Sequence, residues 1–269
     1  MYFVHLSDKK WQQYKDDKTT IFCFGYLINS SFKSLFEDLF KVTRDQKISR
    51  KNIENVLKRY NGHFSVIIKS DNFIYFQVDH ARTIPLFYIS GSKVYVSDQP
   101  SLIERYLPNK ALDNQSILEI ATAGYTIGKN TIYNSLKQLR AGENYFCSKE
   151  SGCSSSFYIK WKPRKYTNGY SINKLSELVL SSIDDLISNT KGRQIVVPLS
   201  AGFDSRAIVS GLKHLGAKNV ICIYYGRKNS FEQIASQRIS ETLGYKWIDI
   251  ELSDKYQKDF FSSKIYSEY

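Results

Sequence analysis

Val196-Val197-Pro198-Leu199-Ser200-Ala201-Gly202-Phe203-Asp204-Ser205 decides the fold of the C-terminal part of this chain. An apolar strand, Gln194 to Leu199, runs into a turn of small residues. A helical pattern then follows from Ser205 to Leu215 and ends at Gly216. Such a turn gathers backbone N–H groups at the start of the helix, where they converge on an anion such as pyrophosphate. Gly202 lets a phosphate approach the main chain. Ser200 and Ser205 can donate to phosphate oxygens. Asp204 disfavours a bare phosphate, so its natural role is to hold a bridging Mg²⁺. The same residues also suit a plain tight turn between a core strand and a surface helix, so the flanking elements matter.

Those elements repeat the pattern. Asn219 to Tyr224 is a second β-branched strand. Ser230 and Gln233 have the spacing of a capping box for a helix ending near Gly244. Trp247 to Leu252 is a third strand, apolar at Trp247, Ile248 and Ile250. Ahead of the loop, Ser171 caps a helix with apolar positions Leu175, Val179, Ile183, Leu186 and Ile187. Strand–helix–strand–helix–strand predicts a parallel sheet with right-handed crossovers. Ligands of such sheets bind at the carboxyl ends of the strands, where Ser200 and Tyr225 sit.

The first half reads as β-rich with helices. Strands are expected at Ile21 to Phe24, Phe64 to Lys69, Phe73 to Asp79, Leu86 to Ser90, Lys93 to Ser97, Glu143 to Cys147 and Ser156 to Trp161. Gly91-Ser92 suits a two-residue hairpin loop. Ser31 to Val42 is helical, with Phe32, Leu35, Phe36, Leu39 and Phe40 on one face, and Asn52 to Arg59 and Asn114 to Thr122 are further helices. Lys162 to Tyr170, with Pro163 and Gly169, marks the boundary between two domains, 1–162 and 163–269.

Composition narrows the function classes. The 269 residues are 42% hydrophobic and 24% charged, as a globular chain should be. The net charge of +12 comes from scattered lysines and arginines rather than a basic tail, so it reads mostly as solvated surface. Cys23, Cys147, Cys153 and Cys222 form no Cys-x-x-Cys pair and stand near no histidine cluster, which argues against a zinc or redox centre. Cys23 and Cys222 lie in apolar runs and read as buried thiols. There is no signal-peptide pattern at the start and no apolar stretch of membrane-spanning length. A cytoplasmic, reduced protein is expected.

The Ser200 to Ser205 segment resembles the S-G-G-x-D-S loop of the N-type ATP pyrophosphatases, asparagine synthetase above all. Ala201 stands where the first glycine is usual. Alanine keeps its N–H, so the loop retains its anion site where that residue has negative φ. The resemblance extends forward. Tyr60-Asn61-Gly62-His63-Phe64 resembles the family's L-x-G-x-F segment. Asp79 to Tyr88 resembles R-D-x-x-G-x-x-P-L-Y-Y, Val94 to Leu102 resembles F-A-S-E-x-x-A-L, and Leu139-Arg140-Ala141-Gly142 resembles L-x-P-G. The implied fold class is mixed α/β and α+β. An N-terminal Ntn-hydrolase-like β-sandwich with helices, of the glutamine amidotransferase type, precedes a Rossmann-like parallel-sheet PP-loop ATPase domain.

The resemblance implies ATP and Mg²⁺ as cofactors. Leu199, Ser200, Ala201, Gly202, Asp204, Ser205, Tyr225 and Gly226 would bind ATP, and Asp204 the metal. The implied chemistry is an acyl-adenylate formed from a carboxylate and then attacked by ammonia or an amine. Glutaminase chemistry is not implied. The family's N-terminal cysteine is replaced by Tyr2, and Phe24, before Gly25, replaces the asparagine of its oxyanion pair. The resemblance also implies synthetase segments beyond Tyr269, so the second domain is expected to be incomplete at its C-terminus. The partners expected are a small carboxylate, an amine donor and a second copy of the chain, with no membrane and no nucleic acid. Three other readings stand beside aspartate amidation: amidation of a sugar acid or β-lactam-type ring closure, tRNA modification by a PP-loop enzyme, and a non-catalytic nucleotide-binding scaffold.

Overall fold

The computed structural model describes residues 1–8, 11–44, 48–160, 162 and 171–263. The chain divides into two units, Met1–Lys165 and Tyr166–Tyr269. Of the expected boundary stretch only Lys162 lies among the described residues, and Trp161 lies outside them too.

The first unit contains β1 (Tyr2–His5), β2 (Gln12–Lys15), β3 (Thr19–Leu27), α1 (Phe32–Thr43), α2 (Arg50–Leu57), β4 (Gly62–Ser70), β5 (Phe73–Gln77), β6 (Phe87–Ile89) and β7 (Val94–Ser97). It continues with α3 (Asn114–Ala123), β8 (Leu136–Gln138), β9 (Glu143–Ser148) and β10 (Gly152–Phe157). Six strands form an antiparallel sheet in the order β10-β9-β5-β4-β3-β2, and four form a second sheet, β1-β7-β6-β8. Strand periodicity shows how the layers stack. In β5, Phe73 and Tyr75 face a core shared with Leu35, Phe36 and Leu39 of α1 and Ile53 of α2. Ile74 and Phe76, one residue out of phase, face a second core shared with Tyr88, Val94 and Val96 of the smaller sheet. The six-stranded sheet is therefore a middle layer between helices and a second sheet, which is why all of β5 is buried. Burying each such large side chain is worth about 1.5–3 kcal/mol.

Gly25 and Gly62 mark the tightest backbone approach in this sheet. Their φ angles are +120° and +151°. A Cβ on Gly25 would lie 2.1 Å from the His63 carbonyl oxygen, and one on Gly62 would lie 2.2 Å from that of Tyr26. Each glycine leaves room for the strand carrying the other.

Several expectations are corrected. The β6–β7 ladder stops at Ile89–Tyr95, so the connection through Gly91-Ser92 is longer than two residues. The strand expected at Ser156 to Trp161 runs instead over Gly152–Phe157, where pairing with β9 decides its register. The thiols are not all reduced. Cys147 and Cys153 face each other across the β9–β10 ladder and are joined as a disulfide, while Cys23 and Cys222 are buried free thiols. Hairpin register brings the first two together, which their spacing alone did not announce.

The second unit contains α4 (Ile172–Thr190), β11 (Ile195–Pro198), α5 (Phe203–His214), β12 (Val220–Gly226), α6 (Phe231–Leu243), β13 (Lys246–Glu251) and α7 (Asp254–Phe261). The strands are parallel in the order β11-β12-β13. Val197, Leu199, Val220 and Cys222 meet Ile183 of α4 and Val209 and Leu212 of α5 in the core. Gly211 of α5 faces Ile183, and a Cβ there would lie 2.3 Å from the Ile183 Cδ1. The expected apolar stripe of α4 is covered only at Ile183 and, in part, Ile187, since Leu175, Val179 and Leu186 are exposed. The apolar residues of β13 do not form one face. Trp247 packs toward the helix-side core, and alternation sends Ile248 and Ile250 to the opposite face. No helix among the described residues is long and apolar enough to cross a membrane.

Candidate functional site

The turn between β11 and α5 stands at the carboxyl edge of the parallel sheet. Leu199 extends the ladder, its N–H donating to the Ile223 carbonyl at 2.8 Å. Its side chain is only 2% exposed and belongs to the core, so it can offer a ligand little beyond its backbone. The chain then turns through Ser200, Ala201 and Gly202. The helix begins at Phe203, two residues earlier than the periodicity predicts, which puts Asp204 and Ser205 inside its first turn. Apolar spacing cannot register these residues, because the first turn of α5 faces solvent.

The two serines close the turn. The Ser200 N–H donates to Ser205 Oγ at 3.2 Å, and the two hydroxyl oxygens are 3.2 Å apart. The Gly202 N–H donates to Ser200 Oγ at 3.1 Å. Gly202 is the N-cap of α5 at φ −69° and offers no side-chain cap. Side-chain oxygens cap the other six helices, from Ser31, Ser49, Asp113, Ser171, Ser230 and Ser253. The first-turn amides of α5 thus lack the side-chain acceptor that every other described α-helix has. Ala201 is not among the residues with positive φ, so alanine fits here without backbone strain.

Arg206 also reaches the loop. Its Nη2 donates to the Ala201 carbonyl at 3.1 Å, and its guanidinium lies 4.8 Å from the centre of the Phe203 ring. Phe203 itself is 83% exposed. Tyr225, 57% exposed, and Gly226 end the neighbouring strand, which runs past β11 at the same edge.

Asp204 is exposed beside the loop. No group of three or more His, Cys, Asp and Glu side chains among the described residues could hold a metal by itself. One exposed carboxylate beside an anion loop fits a cation shared with nucleotide phosphates, since Mg²⁺ commonly uses one or two carboxylates plus phosphate oxygens.

The positions that resemblance assigns to a glutaminase centre are filled otherwise. Tyr2 is buried between the sheets, and its hydroxyl donates to the Asn72 carbonyl at 3.3 Å. Burial pushes its phenol above the usual tyrosine range. The Phe24 ring packs 5.6 Å from that of Trp11. Neither residue supplies a nucleophile or an oxyanion donor.

No protein-family model and no curated protein matches the chain. Among solved structures it is similar to an NH3-dependent NAD synthetase from Campylobacter jejuni, with 20% identity over 35% of this chain and 42% of that one and a TM-score of 0.31. It is also similar to a glutamine phosphoribosylpyrophosphate amidotransferase from B. subtilis complexed with ADP and GMP. There the identity is 11% over 94% of this chain and 75% of that one, with a TM-score of 0.34. A third likeness, to an allosteric regulatory enzyme of purine biosynthesis, has 12% identity over 89% and 62% of the chains and a TM-score of 0.35. The chain spans less than half of the first structure and less than two thirds of the third. With TM-scores this low, the functional reading rests on the loop and strands of this chain.

Proposed function

We propose that the C-terminal unit binds Mg-ATP at Ser200 to Ser205, and that the protein is an asparagine-synthetase-like, amide-forming ligase. The observation that carries this reading is the start of α5. An uncapped helix N-terminus, flanked by two serine hydroxyls, stands at the carboxyl edge of a parallel sheet. Ser200 and Ser205 can turn their hydroxyls from each other to phosphate oxygens without moving the backbone. The edge residues Tyr225, which is exposed, and Gly226, which is half-buried, would flank the adenosine. Mg²⁺ held by Asp204 would neutralise phosphate charge.

In the reaction, a substrate carboxylate oxygen bonds to the α-phosphorus as the bond to pyrophosphate breaks. An amine then bonds to the acyl carbon, the bond to AMP breaks, and the amine loses a proton. The contribution asked of the protein is alignment and charge neutralisation. The acceptor can be aspartate, a sugar acid, or a carboxylate that closes a ring on its own amine. The N-terminal unit acts as an amidotransferase-like scaffold without glutaminase chemistry.

The test is calorimetric titration of the full chain with ATP, with and without Mg²⁺. Asp204→Asn should weaken Mg-ATP binding more than metal-free ATP binding. Equal Mg-ATP affinity for wild type and variant would remove the metal assignment. No binding of ATP to wild type would remove the proposal.

A further inference from the structure

The loop that follows β12, Gly226-Arg227-Lys228-Asn229, has no role in the site described so far. It lies on the strand next to the Ser200–Ser205 turn, at the same edge of the sheet. Adjacent strands are about 4.8 Å apart, so the two loops are immediate neighbours.

A polar network sets the shape of this second loop. The Tyr224 hydroxyl, on a side chain in a buried residue, lies 2.7 Å from Ser230 Oγ and donates to the Arg227 carbonyl at 3.3 Å. Gly226, at φ +159°, folds close over that phenol, so that a Cβ there would lie 2.3 Å from the phenolic oxygen. Asn229 takes a left-handed conformation at φ +58°, and its N–H donates to Gln233 Oε1. Gln233 is 8% exposed, and its Nε2 donates to Asp249 Oδ2 on β13 at 2.6 Å. Satisfied networks of this kind give a loop one conformation.

That conformation presents two cations. Arg227 and Lys228 are both exposed, and neither enters an ion pair among the described residues. On β13, Asp249 lies opposite Tyr224 and is engaged by Gln233, while Glu251, opposite Gly226, enters no ion pair with either cation among the described residues. Two unneutralised cations on a pinned turn, beside a loop of anion-seeking amides, form the second half of a clamp for one extended polyanion.

We infer that Arg227 and Lys228 form a second anion-binding element that grips the same polyphosphate as the Ser200–Ser205 loop, from the neighbouring strand. The ligand class is inorganic pyrophosphate and the phosphate chain of a nucleoside polyphosphate. This rests on the proposed nucleotide site and extends it to two residues outside the loop. It also gives the departing pyrophosphate a counter-charge that the loop amides alone do not supply.

The experiment is calorimetric titration of the full chain with inorganic pyrophosphate and, separately, with ATP, at two salt concentrations. The proteins are wild type, Arg227→Gln/Lys228→Gln, and a control, Lys218→Gln/Lys255→Gln, which removes the same charge elsewhere. A second variant, Tyr224→Phe, leaves both cations in place and loosens the loop. The Arg227/Lys228 variant should bind pyrophosphate about tenfold or more weakly, as expected for losing charge-assisted hydrogen bonds. Its affinity should also vary less with salt. The control should stay within about twofold of wild type on the same reasoning, and Tyr224→Phe should fall between them. Pyrophosphate affinity that is equal in wild type and the Arg227/Lys228 variant overturns this inference and leaves the loop assignment standing. An equal loss in the control overturns it as well, by showing only a net-charge effect. Failure of wild type to bind either ligand overturns the nucleotide site itself.

Discussion

Replacing Glu143 by glutamine should destabilise the N-terminal unit by about 2–3 kcal/mol, less than the 3–5 kcal/mol typical when one partner of a fully buried pair is removed. Glu143 begins β9 and is 1% exposed. Its carboxylate accepts from the Arg140 N–H at 2.9 Å, from Nε at 3.1 Å and from Nη2 at 2.9 Å. Glutamine keeps one acceptor oxygen and turns an amide N–H₂ toward the guanidinium. The loss stays below the fully buried limit because the Arg140 side chain is 39% exposed and can be rehydrated. In a unit of this size each kcal/mol moves the melting temperature by roughly 2–4 °C, so the variant should melt about 5–10 °C lower.

The acid limb adds a second test. Burial acts to raise the Glu143 pKa, but hydrogen bonds from Arg140 and Ser155 and the Arg140 charge outweigh it, and the carboxyl sits below the usual glutamate value. A carboxyl depressed in the folded state stabilises it above the unfolded value, about 4.3, and loses that contribution as pH falls through the folded value. The gap between wild type and variant should therefore be full at neutral pH and close below about pH 4. Urea denaturation followed by circular dichroism, at neutral pH and in acid, measures both. A neutral-pH gap under about 0.5 kcal/mol, the size of an ordinary surface change, would refute the reasoning. So would a gap that widens in acid.

Gly25→Ala should cost about 3 kcal/mol or more, from positive φ plus a backbone clash at His63, and denaturation of this variant should show a lower midpoint with little change in slope. Thiol titration should find no reactive cysteine in the native protein, two after unfolding, and four after unfolding with reductant, because Cys23 and Cys222 are buried and Cys147 and Cys153 are bonded. Four thiols on unfolding without reductant would contradict the disulfide. The full chain should release no glutamate from glutamine above a buffer control, because Tyr2 and Phe24 occupy the nucleophile and oxyanion positions that the resemblance assigns.

Much of the second unit was legible in the chain because its signals are local. Ser171 and Ser230 cap their helices, as read, since a cap needs only backbone three residues away, whereas Gln233, the expected second half of the capping box, accepts from the Asn229 N–H rather than from that of Ser230. The β11, β12 and β13 strands follow from runs of Val and Ile between turn residues. Boundaries that depend on a partner were not legible. Pairing with β9 moved β10 four residues toward the N-terminus, and the Ile89–Tyr95 ladder lengthened the Gly91-Ser92 connection. The covering of α4 was overestimated for the same reason, because an apolar stripe shows which face seeks burial and not whether a neighbour provides it.

The sequence by itself determined the residue types at the candidate site: two serines, a small residue, a glycine and a carboxylate between a strand and a helix. It also determined that residue 2 is a tyrosine and residue 24 a phenylalanine, at the positions where the resemblance would place a cysteine nucleophile and an oxyanion asparagine. Only the tertiary structure decided that α5 begins uncapped at Phe203, that Arg206 folds back onto Ala201, and that Cys147 meets Cys153. It alone placed Gln233 against Asp249 and so fixed the loop that carries Arg227 and Lys228, at the sheet edge shared with the Ser200–Ser205 turn. The physical reason is range. Propensity, capping and turn chemistry act over about four residues along the chain, whereas the site is assembled by strand register and helix packing between residues far apart in sequence.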